Sequence, residues 1–171
     1  MSLIQKGFKL ENVDNDLLTL SGVTFTTLDD FNELQAKGFI FSGSKITVTN
    51  KMEFTSASIK LMGLENHGIS HLIVPNTLKP SFGEAKKVLD SGVAFETSSG
   101  SLLTIKANAV SQLDSLANKM QDLETMGVGY FDLEGLSIPL STAELFVESA
   151  ANSSITFLNS PNLYIESSAE S

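Results

Sequence analysis

The residues best equipped for chemistry sit in one short stretch, "HGISH", which holds the only two histidines of the chain, His67 and His71. On a helix, a spacing of four sets two imidazoles on one face, within reach of a single metal ion, with Glu65 or Glu53 as a third ligand. Gly68 and the β-branched Ile69 instead mark a helix that has just ended and a strand that begins. On a strand the two rings share a face but stand about 13 Å apart, at 3.3 Å per residue. A surface histidine followed by a strand histidine is the competing and simpler reading.

Acids offer a second possibility. "VDND", residues 13–16, has the alternating carboxylates Asp14 and Asp16 that open a calcium-binding EF-hand loop. Counted from Asp14, however, the loop positions that need glycine and glutamate hold Thr19 and Phe25, so a turn capped by Asp and Asn side chains explains the stretch as well. Asp132 and Glu134 flank Leu133 in an alternating run, which predicts that both lie on a solvent face. A catalytic pair would need one of them in an apolar pocket to raise its pKa. "SSGS", residues 98–101, opens a strand and lacks the Lys-Ser/Thr that completes a phosphate loop. Serines and threonines are plentiful, but a nucleophile needs an oriented base. The reading is a protein that is not an enzyme, with no catalytic residue, no cofactor and no resident metal; His67, His71, Asp14 and Asp16 are the weak metal candidates.

Charge narrows the partners. The net charge is −9, and every positive charge is a lysine, because the chain has no arginine. Residues 1–91 hold nine lysines and ten acids, whereas 92–171 hold two lysines and ten acids. A chain so balanced repels phosphate backbones and lacks the guanidinium fork that reads guanine, which argues against nucleic acid. Anionic membrane surfaces are disfavoured for the same reason. No apolar run approaches the roughly 20 residues that span a bilayer, so no membrane insertion is expected. "MSLIQKG" has no apolar h-region and no small-residue cleavage site, so it is not a secretory signal. Residues 1–6 read as a leader, added in part.

The elements that must position any site repeat. Shifted by 85, Gly7 falls on Gly92, Leu10 on Phe95, Leu17-Leu18-Thr19-Leu20 on Leu102-Leu103-Thr104-Ile105, and Leu28-Asp29 on Leu113-Asp114. At a shift of 89, Gly38 falls on Gly127, and at 86 Pro75-Asn76 falls on Pro161-Asn162. The chain therefore reads as one continuous domain of two units, 7–91 and 92–171. A glycine before a large apolar residue recurs at Gly7, Gly38, Gly68, Gly92 and Gly127, with Ser154-Ile155 in the sixth place; after "LDDFNELQAK" and "LDSLANKMQDLETM", at Gly38 and Gly127, it sits where a helix ends in the left-handed conformation. Thr26, three before Asp29, and Ser111, three before Asp114, are the expected caps. Leu28, Phe31 and Leu34 form one helical stripe; Leu113, Leu116, Met120 and Leu123 form another. Between the helices, "FIFSGSKITVTN", "ISHLIVPN", "VAFETSSGSLLTIKA", "GYFDLEGLSIPL" and "SITFLNSPNLYIE" read as strands broken by turns. The fold class expected is α/β, a tandemly duplicated strand-turn-strand-helix repeat, solenoid-like, with leucine-rich-repeat-like layers of strands and helices.

From Gly92 to Leu116 the pattern G-V-x-F, L-T-I-x-A-x-x-V-S-x-L-D-x-L resembles the degenerate strand and helix repeats of large secreted or surface bacterial proteins, including RTX-type adhesins and haemolysins. "GLSIPLSTAELFVES", 135–149, is similar in its strand, Ser/Thr cap and Ala-rich helix. The resemblance implies an acidic, extracellular or cell-surface repeat segment of a larger protein, structural or engaged with a protein partner or with itself. The calcium-binding nonapeptides of those proteins have no counterpart here. "LLTLSGVTFTTLDDFNEL" is similar to the strand, turn and helix of STAS domains, which implies as an alternative a regulatory protein-binding domain, cytoplasmic in location. Thr26-Thr27-Leu28-Asp29 stands where that family carries its phosphorylation turn. A hydrolase or metal-binding protein using His67 and His71 is the remaining alternative. Exposed strand residues such as Thr47, Thr49, Glu96 and Thr104 are the expected contact surface.

Overall fold

A computed structural model describes residues 18–64, 67–109, 111–112, 120–151 and 153–165. It is a mixed α/β protein with several parallel sheets, none of them closed among these residues. By its contacts the chain divides into two compact units, Met1–Leu78 with Lys87–Ser101, and Lys79–Lys86 with Leu102–Ser171.

The first unit contains strands β1 (Thr19–Ser21), β2 (Thr24–Phe25), β3 (Ile40–Ser42), β4 (Ser44–Thr47), β5 (Ile69–Val74) and β6 (Ala94–Thr97), with helices α1 (Leu28–Ala36) and α2 (Lys51–Met62) between them. Helix α3 (Phe82–Asp90) leads into β6. The strands of each strand-turn-strand run do not pair with one another. Instead β2, β4, β5 and β6 lie side by side in chain order, all parallel, and β3 pairs parallel with β1. Alternation then sorts the faces: the row Phe25, Ile46, Leu72, Phe95 is buried. Phe54 of α2 stacks on Phe95 at 6.1 Å between ring centres, and Phe25, Phe31 and Phe41 form a second aromatic cluster. Burying each such ring contributes on the order of 2 kcal/mol.

Local chemistry sets the helix ends. Thr27, not the expected Thr26, caps α1: its hydroxyl accepts from the Asp30 amide at 3.1 Å, while the Thr26 hydroxyl donates to the Asp30 carboxylate. Both threonines lie within reach of the first turn, and the extended backbone of Thr27 (φ −143°) makes it the cap. At the other end Gly38 has φ 84°, and the amides of Phe39 and Gly38 bond back to the carbonyls of Leu34 and Gln35. That is the pair of hydrogen bonds of a helix stopped by a left-handed residue, and it recurs where α3 meets Gly92. In α2, Asn50 accepts from the Glu53 amide while the Glu53 carboxylate accepts from the Thr49 amide, so two end donors are satisfied reciprocally. Phe54, Ala57, Ser58 and Leu61 are its buried stripe.

The second unit contains β7 (Leu103–Lys106), α4 (Met120–Thr125), β8 (Val128–Asp132), β9 (Ser137–Pro139), α5 (Leu140–Ala150), β10 (Thr156–Leu158) and β11 (Asn162–Tyr164). Strands β7, β8 and β10 are adjacent and parallel, Ser81 forms a parallel bridge to Lys106, and β9 pairs parallel with β11. Phe131 and Phe157, in register on β8 and β10, stack at 6.3 Å, and Phe146 of α5 leans on Phe157 at 5.2 Å. The Ser/Thr cap expected before this helix is absent. The helix begins earlier, with Pro139 in the cap position and no side-chain bond there, so Ser141 and Thr142 lie inside its first turn. Met120 and Leu123 are buried as their stripe requires. Leu113, Leu116 and Asp114, the partner expected for a Ser111 cap, lie outside the described residues.

Candidate functional site

The rows that face away from the buried row of the first unit carry polar side chains. Parallel register sets Thr24, Lys45, His71 and Ala94 abreast, and Thr47, Ile73 and Glu96 two residues on. Lys45 on β4 reaches across β5 to Glu96 on β6, Nζ to Oε2 at 2.5 Å. The Lys45 ammonium holds the Glu96 carboxyl below its ordinary value, and the charge of His71 adds to the effect. Both partners are about one-third exposed or more, so the pair is worth little in stability. Thr47 and Glu96, expected at a contact surface, do lie here half-buried, and Thr49 lies exposed just beyond β4. Thr104 occupies the corresponding outward row of the second unit, beside Tyr130 and Thr156.

The two histidines have separate surroundings. His67 precedes β5; its Nδ1 accepts from the Ile69 amide at 3.0 Å and its Nε2 lies 3.1 Å from the Ser91 carbonyl, so an ε-protonated ring satisfies both bonds. His71 lies within β5, next to Ser70, the extra residue of a β-bulge opposite Ser44 and Lys45. The Ser70 hydroxyl donates to the Ser44 carbonyl at 3.1 Å, which leaves it to accept from His71 Nδ1 at 3.0 Å. A serine whose single hydrogen points at a carbonyl is not primed as a nucleophile. Glu53 is engaged at the start of α2, and Glu65, Asp14 and Asp16 lie outside the described residues. Among the described residues no group of three His, Asp or Glu side chains is placed to hold a metal ion.

The turn 97–101 is held by hydroxyls. Buried Thr97 donates to the Ser101 carbonyl, Ser99 and Ser101 share a hydrogen bond at 2.8 Å, and the Asn76 carboxamide accepts from the Ser99 amide. These bonds leave the turn's amides and hydroxyls committed to the protein itself.

Asp132 departs from its expected place on a solvent face. Its side chain is 2% exposed, bonded by Lys79 Nζ at 2.8 Å, by Asn159 Nδ2 at 2.8 Å and by the Glu134 amide at 3.1 Å. The Lys79 ammonium, then the Asn159 amide, lowers its carboxyl to about 2, so it is a fixed negative charge at neutral pH. The alternation was read correctly, since Asp132 points opposite to Phe131, but Lys79 and Asn159, remote in sequence, cover it. Glu134 behaves as expected: it is exposed, 3.5 Å from Lys106.

Sequence reasoning also missed an apolar hollow of about 240 Å³ in the second unit, lined chiefly by Leu133, Ile138, Ala143, Phe146, Phe157 and Leu163. Its only advance signal is the apolar density of "GLSIPLSTAELFVES". No helix among the described residues is long and apolar enough to cross a membrane. Compared with known protein families, with curated proteins and with solved structures, the chain has no significant match in any of the three.

Proposed function

We propose that this chain is a non-enzymatic repeat protein, a short solenoid of strand-turn-strand-helix coils that serves as a structural or protein-interaction module of a larger secreted or surface protein. One observation carries the reading: every strand among the described residues finds a parallel partner 21 to 26 residues along the chain, from Thr24 with Lys45 to Thr104 with Tyr130, in both units. A recurrent interval in so narrow a range, with parallel, in-order pairing, is what stacked coils produce, each burying the apolar face that its neighbour leaves open. A STAS-like module needs a mixed sheet, and every strand pair among the described residues is parallel, which favours the repeat. The acidic balance and the polar outward rows suit a solvated surface that meets other proteins.

The test is to insert a second copy of residues 39–68 directly after Gly68. A stack accepts another coil and gains stability by one more interface, so the variant should fold with an unchanged α/β circular-dichroism spectrum and a raised melting temperature. A fold whose elements close on one another has no room for it; an unfolded or aggregated product defeats the repeat reading.

A further inference from the structure

We infer that the hollow between α5 and β9 with β11 is a docking groove for a basic, apolar, extended segment of another protein. The inference rests on the interaction-module reading and names the partner's chemistry. Phe146 and Phe157 line the hollow, and its rim is open: Val147 is 66% exposed and Leu163 56%. Beyond Leu163, Tyr164 and Ile165 are exposed as well, at 45% and 83%. Two exposed apolar side chains on the rim of an apolar hollow, Val147 and Leu163, are more than scattered surface leucines. Strand β11, exposed at all three positions, has a neighbour on one side only among the described residues, so its other edge presents backbone donors and acceptors to an added strand.

Charge selects the occupant. Residues 120–171 contain eight acids and not one lysine, arginine or histidine. Asp132 is neutralised by Lys79, but Glu144 and Glu148, exposed and one turn apart on α5, each follow a hollow-lining residue, Ala143 and Val147. A second copy of this chain would bring the same acids to the contact and repel it. The last six residues, "ESSAES", hold two of those eight acids and no large apolar side chain. A strand that alternates lysine with leucine or valine supplies apolar anchors for the hollow on one face and, on the other, cations that answer the acidic surroundings.

The experiment uses the full chain and a fluorescent peptide of alternating lysine with leucine or valine, seven residues long, beside a control with every lysine replaced by glutamate. Fluorescence anisotropy at low salt should show saturable binding of the lysine peptide and none of the control. E144K/E148K should weaken binding at least tenfold, and Leu163→Ser at least fivefold, both with the fold retained by circular dichroism because all three residues are exposed. The proposal is overturned if the lysine peptide fails to bind, if the glutamate control binds equally, or if either variant binds as the parent does. It is also overturned if sedimentation reveals a dimer that Leu163→Ser dissociates, since the occupant is then a second copy. If the peptide fails while the chain with the inserted coil folds, the groove alone is lost and the repeat module stands.

Discussion

Asp132 is where one residue's surroundings become measurable in the whole protein. Its carboxyl titrates at about 2 in the folded chain against an ordinary 3.8, so the folded state holds the charged form more tightly than the unfolded one. The stabilisation is complete above pH 4 to 5 and disappears as pH falls through 4 toward 2, a total of roughly 2 kcal/mol. Asp132→Asn should therefore lower the unfolding free energy measured in urea at pH 7 by that amount and flatten the acid limb of the stability profile; a variant with the parent's acid limb would show that Lys79 contributes nothing through this carboxylate. Gly68 makes a steric counterpart. It has φ 66°, and a Cβ there would meet the Phe41 carbonyl oxygen at 1.8 Å, backbone that cannot step aside. Gly68→Ala should cost more than about 2 kcal/mol in denaturant unfolding, well above the ordinary glycine-to-alanine effect. The position of this glycine was legible in sequence as a recurrent Gly before an apolar residue. The close approach of Phe41 was not, because nothing local announces which backbone arrives from a strand 27 residues earlier.

Helix ends show why some elements are readable and others are not. The stops at Gly38 and Gly92 follow from backbone geometry that glycine alone adopts cheaply, so the residue itself announces the stop. The starts are less certain, since neighbouring residues compete for the cap, as Thr26 and Thr27 do, and a proline can take the position, as Pro139 does. Replacing Asn50 by Ala should cost about 1 kcal/mol, because it frees the Glu53 amide and loosens the reciprocal bond to Thr49. Loss of amide-exchange protection confined to the first turn of α2 would be its signature. Strands were legible as apolar alternation, but their partners were not: the run from Ala94 through Lys106 reads as one strand-turn-strand piece, and its two strands pair with β5 and with β8. Pairing depends on where separate stretches meet, and alternation specifies only which side of a strand is wet.

At the scale of the molecule the uneven charge has a consequence for salt. With eight acids and no base over residues 120–171, self-repulsion should ease as ions screen it, while the Lys79–Asp132 pair, buried on its Asp132 side, is screened less than a fully exposed pair. Raising sodium chloride from about 20 mM to about 500 mM should increase the amide-exchange protection of β8 and β10. A decrease would mean that ion pairs outweigh repulsion there.

The interval of 21 to 26 residues between paired positions also bears on how the chain comes to be folded at all. A ribosome adding roughly 5 to 20 residues each second delivers such a stretch in a few seconds. Each strand thus leaves the exit tunnel only seconds before the next arrives, and no ladder has to wait for the far end of the chain. Completed ladders can form behind the growing end, so the apolar face of the newest strand is the one most exposed during synthesis.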